Sequence, residues 1–175
     1  RKYGYSIGKY QDKRAHVASF KREGIIVGQK IRLANKDFKT LGDCSGLWGK
    51  HLWSTGKKIV ITEGEIDAIS VAEAWSCKWP VVSIPNGVGS AVKAISKDME
   101  WVLGFEEIII MFDMDSQGQA AAKACCEVLP PGRVKIATTP EKDANASLIG
   151  HGGSSLVDAV WRARVYRPDG IIAGE

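Results

Sequence analysis

The chain has 175 residues, 45% hydrophobic and 25% charged, the make-up of an ordinary globular protein and not of a disordered or collagen-like one. Its longest apolar run, residues 108–112, is far shorter than the roughly 20 residues that cross a bilayer, and no signal peptide opens the chain, so a membrane partner is not expected. The net charge of +4 hides a division: residues 1–58 hold 14 Lys and Arg against 4 Asp and Glu, while residues 59–175 hold 10 against 16.

Residues 1–56 read as a small, basic, β-rich lobe. Stretches 15–20 and 25–33 alternate loosely, and Arg22-Glu23-Gly24 between them has the residues of a hairpin turn. The chain opens on Arg1 and not Met, so this lobe is read as part of something longer. From residue 57 the pattern changes to strands alternating with helices. A β-branched run at 58–62 is followed by a helix over 66–75, a strand at 81–84, a glycine turn and a helix over 90–97. The run 108–112 predicts a strand buried on both faces, and 117–129 an alanine-rich helix stopped by Pro130-Pro131-Gly132. A fourth strand at 134–137 and a helix over 155–164 complete the series. The expected fold is α/β: a parallel sheet of about four strands with flanking helices over 57–166, preceded by the basic lobe. Residues 167–175, with Pro168, Gly170 and Gly174, read as the start of an interdomain linker. The four cysteines have no metal-ligand spacing, which argues against zinc and suits a reducing, cytoplasmic setting.

Ligands of an open parallel sheet bind beyond the carboxyl ends of its strands. Carboxylates stand after three of the four: Glu63, Glu65 and Asp67 after the first, Asp113 and Asp115 after the third, Asp143 after the fourth. Asp113 and Asp115, two apart in an extended segment, point the same way and repel unless a cation or a proton intervenes. Oxygen-only ligands select a hard cation, magnesium or manganese, which keeps positions open for phosphates. Thr62 with Glu65, and Ser116 with Gln119, fit capping boxes and are read as structural. A basic lobe beside an acidic one suits a polyanion gripped by one and metal held by the other.

These motifs carry a resemblance. Thr62-Glu63-Gly64-Glu65-Ile66-Asp67, then Met111-Phe112-Asp113-Met114-Asp115 with Gly118, then Lys142-Asp143-Ala144-Asn145 resemble the TOPRIM domain, and within it the primase half of short-tailed phage primase–helicases. Gln29-Lys30-Ile31-Arg32, Asn35 through Thr40 and Gly49 through Trp53 extend the likeness into the basic lobe. The resemblance implies template-directed synthesis of short RNA primers on single-stranded DNA from nucleoside triphosphates. It implies that Glu63, Asp113 and Asp115 are catalytic, that Asp143 joins them around the metal, and that Asp67 supports them from behind. It leaves Glu63 as either base or ligand. Lys30, Lys36 and Lys39 would face the cleft and meet nucleotide or template. The family's zinc-binding and helicase domains would be partners within a parent chain, and a viral parent places the protein in the host cytoplasm. Two rival readings use the same residues: a TOPRIM nuclease or strand-cleaving enzyme, and a non-catalytic module that binds single-stranded DNA within a replicative helicase.

Overall fold

A computed structural model describes residues 2–35 and 37–168, so most of the expected linker lies outside the described residues. Two sheets form, and their strand patterns explain why. The first is an antiparallel meander in the order β1 (Tyr5–Tyr10), β2 (Lys13–Arg22), β3 (Ile25–Leu33), β4 (Phe38–Gly42). The hairpin between β2 and β3 closes through Glu23 (φ 50°) and Gly24 (φ 81°), the doubly left-handed turn that matches strand twist. Strands β1 and β4 were not legible in the sequence. All five β4 residues are exposed, so no alternation of buried and polar positions marks it.

The second sheet has the order β6-β5-β7-β8-β9. Strands β5 (Gly56–Thr62), β6 (Val81–Ser83), β7 (Phe105–Met111) and β8 (Val134–Ile136) run parallel, as expected. A short antiparallel β9 (Arg164–Val165) adds a fifth strand where the sequence predicts the end of a helix. The β7 run is buried throughout from Ile108 to Phe112, because helices cover both faces. Ile59, Ile61, Ile108 and Ile110 pack on α2 (Ala91–Lys97) and α4 (Ser116–Glu127). Val60, Ile109 and Met111, one residue out of phase, pack on α1 (Glu65–Ala74), α5 (Ala144–His151) and α6 (Gly153–Trp161). Each such buried side chain contributes about 1.5–3 kcal/mol. A short α3 (Met99–Val102) precedes β7.

The two sheets share a core. Tyr3, Ala18, Phe20 and Trp48 join the cluster that holds Val60 and Ile109. Trp48 is fully buried, its indole N–H donates to Ser19 O at 3.1 Å, and its backbone bridges to Ser83 at the end of β6. That seam fixes how the basic sheet sits against the carboxyl edge of the parallel one. None of the described helices is long and apolar enough to cross a membrane.

Candidate active site

Register brings the acidic motifs to one edge. Thr62 lies opposite both Ser83 and Met111, so the loops that follow β5 and β7 leave the sheet side by side. Glu63 reaches across this gap, and the Asp113 N–H donates to its Oε2 at 3.4 Å. The loop after β8 is stitched to the loop after β7 by Met114 N–H donating to Lys142 O at 2.8 Å. The Asp67 carboxylate, from the first turn of α1, accepts from the Asn145 N–H at 3.0 Å and so joins the loops after β5 and β8. Three chain segments therefore meet around Glu63, Asp67, Asp113 and Asp143.

Electrostatics confirm the crowding. Burial first, then the Asp113 carboxylate, pushes Glu63 up to about 7. Burial, then the Asp143 carboxylate, push Asp67 up to about 6, against backbone hydrogen bonds from Asn145 and from its own N–H that favour its charge. Asp113 is raised by burial, then by Asp143 and Asp115. Such shifts mark carboxylates held close without enough counter-charge, a signature of functional sites.

Two of the acids also do structural work. Asp115, not Ser116, is the cap of α4: its Oδ1 accepts from the Gly118 N–H at 2.7 Å. Asp143 caps α5, accepting from the Ala146 N–H at 2.6 Å, where the sequence reading placed a metal ligand and no helix. Both expected capping boxes are absent. The α1 cap is Gly64, and the Thr62 hydroxyl donates to Gly64 O at 3.0 Å. The Gln119 amide donates instead to Asp113 O at 3.0 Å, buttressing the loop after β7. Gly118 is demanded there, since a Cβ would lie 2.3 Å from Asp113 O.

Capping uses one oxygen of Asp115 and one of Asp143; the other Asp143 oxygen lies 3.5 Å from the exposed Lys142 ammonium. Among the described residues no three carboxylates, histidines or cysteines converge as a ready-made cage for a metal. The donor set is all oxygen and mutually repelling, which fits a hard divalent cation held by one or two carboxylates and completed by water and phosphate oxygens. It does not fit a closed structural site.

Across the cleft the basic sheet meets this edge through Lys30. Its ammonium donates to Glu65 Oε1 at 2.9 Å and to Pro85 O at 2.8 Å, and the side chains of the pair are 13% and 10% exposed. Phe38 lies over both Lys30 and Arg32, 5.0 Å and 5.6 Å from their charged groups. A small cavity of about 110 Å³ opens here between Lys30 and Arg32 on one wall and Gly64, Glu65 and Asp67 on the other. The sequence reading missed the role of Glu65, because the capping pattern is local and the partner is 35 residues away. Lys39 is in register with Ile31 while Lys30 is in register with Thr40, so Lys39 projects from the sheet face opposite Lys30 and does not join the cleft group. Lys36 lies outside the described residues. Lys50 is bound to Asp98 at 2.7 Å, away from the acidic edge.

Comparison with known proteins agrees with this arrangement. A family model described as Toprim-like matches residues 60–148, and one described as the bacteriophage T7 DNA helicase/primase N-terminal α+β fold matches residues 1–42. The chain is 43% identical over 175 residues to a DNA helicase/primase of Enterobacteria phage T3, covering 98% of this chain and 31% of that one. It thus spans about a third of that relative's length. The crystal structure of the primase fragment of the bacteriophage T7 primase–helicase superposes with a TM-score of 0.87 at 44% identity, over 91% of this chain and 68% of that one. Primase domains of bacteriophage T7 solved with an RNA/DNA hybrid, dTTP and the lagging-strand DNA polymerase give a TM-score of 0.88 at 43% identity, over 94% and 86%.

Proposed function

The chain belongs to the Toprim-like family, and from that premise we propose that it is the RNA-polymerising domain of a phage-type primase, joining nucleoside triphosphates on a single-stranded DNA template. The observation that carries this reading is the acidic edge set beside a basic sheet: three carboxylates with raised pKa values, of which Asp67 shares a cavity with Lys30 and Arg32. A nuclease needs the same acids. The basic wall and the likeness over 91% of the chain to a primase fragment favour polymerisation.

The family's fold implies a divalent cation, magnesium or manganese in this reading, whose chemistry when bound is to neutralise charge on the phosphates. Asp113 would hold it, with the Asp115 oxygen that its helix cap leaves over and the Asp143 oxygen now paired with Lys142. Glu63, its pKa raised to about 7, would serve as the base at the attacking 3′-hydroxyl or as a further metal ligand. Asp67 positions the α5 terminus, and through it Asp143, by its bond to Asn145. Lys30, released from Glu65, and Arg32 would meet the triphosphate or template; Lys36 is assigned the same role on the resemblance alone. Lys39 is assigned, at most, a contact with strand lying outside the cleft. The 3′-hydroxyl gives its proton to Glu63 or to solvent, its oxygen bonds to the α-phosphorus of the incoming nucleotide, the bond from that phosphorus to the bridging β-phosphate oxygen breaks, and pyrophosphate leaves. Zinc-binding and helicase domains of a parent chain are the partners this reading implies, in the cytoplasm of an infected host.

The test is incubation with single-stranded DNA, labelled ribonucleoside triphosphates and magnesium. Template-dependent oligoribonucleotides support the reading. Shortened DNA would assign a nuclease, and binding without turnover a non-catalytic module.

A further inference from the structure

A cavity of about 690 Å³ lies away from the acidic edge. Its walls are the β2–β3 hairpin, the segment 43–54 and the end of α2. The hairpin is at the far end of β3 from Lys30: five residues at about 3.4 Å each set Ile25 some 17 Å from it. No reading of the acidic cleft accounts for this space.

Its charges are incompletely paired. Arg22 is bound to Asp43 at 2.6 Å and Lys50 to Asp98 at 2.7 Å. Lys97 meets only the Ser45 hydroxyl, and Lys21 has no carboxylate partner among the described residues; against them stands Glu23, exposed at the hairpin tip. Between them His51 Nε2 is buried with no hydrogen-bond partner. Burial, and then the Lys21 ammonium, hold that ring below the ordinary imidazole range.

The floor is aromatic and fixed. The Trp101 indole N–H donates to Trp53 O at 3.1 Å, and its ring meets Phe105 edge-on with centroids 5.1 Å apart. Lys50 sits 5.6 Å from the Trp101 centroid. A locked indole lining one cavity with Lys21 and Lys97 is a combination that holds a base by stacking and its phosphate by charge, with little ordering cost. The volume is in the range of small-ligand sites, roughly 300–1,000 Å³.

We propose that this cavity is a second, non-catalytic binding site for a nucleotide unit, free or within a single strand, with Trp101 as the stacking surface and Lys21, Lys97 and His51 toward the phosphate. It goes beyond the polymerisation reading and does not depend on it.

The test measures binding of a labelled oligothymidylate and of ATP in EDTA, which removes any metal-dependent contribution of the acidic edge. The variant Lys21→Ala/Lys97→Ala is compared with Lys9→Ala/Lys123→Ala, which removes the same charge at exposed positions elsewhere. The cavity variant is expected to lower the log–log salt slope for the oligonucleotide by about 1.4, roughly 0.7 for each lost phosphate contact, and to weaken binding at low salt by some tens of fold. Weakening of both probes assigns a nucleotide unit, and of the oligonucleotide alone a strand; either supports the site. Equal effects of the two double variants, or parental binding by the cavity variant with its thermal unfolding unchanged, would overturn it.

Discussion

The two walls of the cleft handle charge in opposite ways. On the acidic edge, Glu63, Asp67 and Asp113 are raised first by burial and then by neighbouring carboxylates, with few donors to answer them. On the basic sheet, Lys30 is fully engaged by Glu65 and Pro85 O. One wall stores repulsion that a cation or proton relieves; the other stores a cation in a pair that an incoming polyphosphate must compete for. The difference teaches that the cleft is built around ligands of both signs, with the acidic wall paying in stability and the basic wall in availability.

The sharpest way to break this comparison is Asp113→Asn. The side chain keeps its shape and loses the charge on which the acidic wall depends. Primer synthesis is expected to fall by about a hundred- to a thousandfold, with far-UV circular dichroism unchanged. Parental turnover would remove Asp113 from the chemistry and leave its raised pKa as mere crowding.

On the basic wall the same logic gives a stability effect. Lys30→Ala leaves the Glu65 carboxylate, 10% exposed, without its cation, and a broken buried pair costs about 2–4 kcal/mol at this degree of burial. Denaturant unfolding reads that loss. Lys30→Ala combined with Glu65→Gln should recover most of it while nucleotide binding stays weak. If the double variant is no more stable than the single one, the pair does not hold the two sheets together.

How much of this was legible beforehand differs between the walls. The run 108–112 and the charge division announced a buried strand and two unlike lobes, because both signals are local and cumulative. Helix α5 was hidden, since Asp143-Ala144-Asn145 carries turn residues that also serve as a helix start. Strand β4 was hidden because full exposure erases alternation. Glu65 was misread because a cap three residues from Thr62 and a salt bridge to Lys30 look identical in a one-dimensional pattern. The acids were found through strand ends; their pairing with the other lobe needed the fold.

The acidic wall can also be relieved without metal. Asp67 has its pKa raised to about 6 in the folded protein, above the value in an unfolded chain. The stability that goes with its protonated form is therefore complete below about pH 4 and is lost as pH rises through about 6. Asp67→Asn keeps the acceptor for the Asn145 N–H and has no charge to bury. In EDTA at neutral pH it should be more stable than the parent by about 1–3 kcal/mol, and the gain should vanish near pH 4. A pH-independent difference would mean that packing, not charge, separates the two proteins.

The smallest expected effect tests which face of the basic sheet matters. Lys30 and Lys39 lie on adjacent strands, yet register puts them on opposite faces, with Lys30 beside Thr40 and Lys39 beside Ile31. Lys30 is largely buried against the acidic edge, whereas Lys39 is exposed and has no ion pair among the described residues. Removing an exposed, unpaired lysine should change stability by less than about 0.5 kcal/mol. Lys39→Ala should therefore unfold like the parent and polymerise like it at saturating nucleotide. Its salt slope for template binding then discriminates: an unchanged slope confines template contacts to the Lys30 face, and a drop of about 0.7 places a phosphate on the outer face of the sheet. The second result would mean that the strand wraps the sheet and does not pass only through the cleft. The contrast between the two walls would then describe the nucleotide site alone.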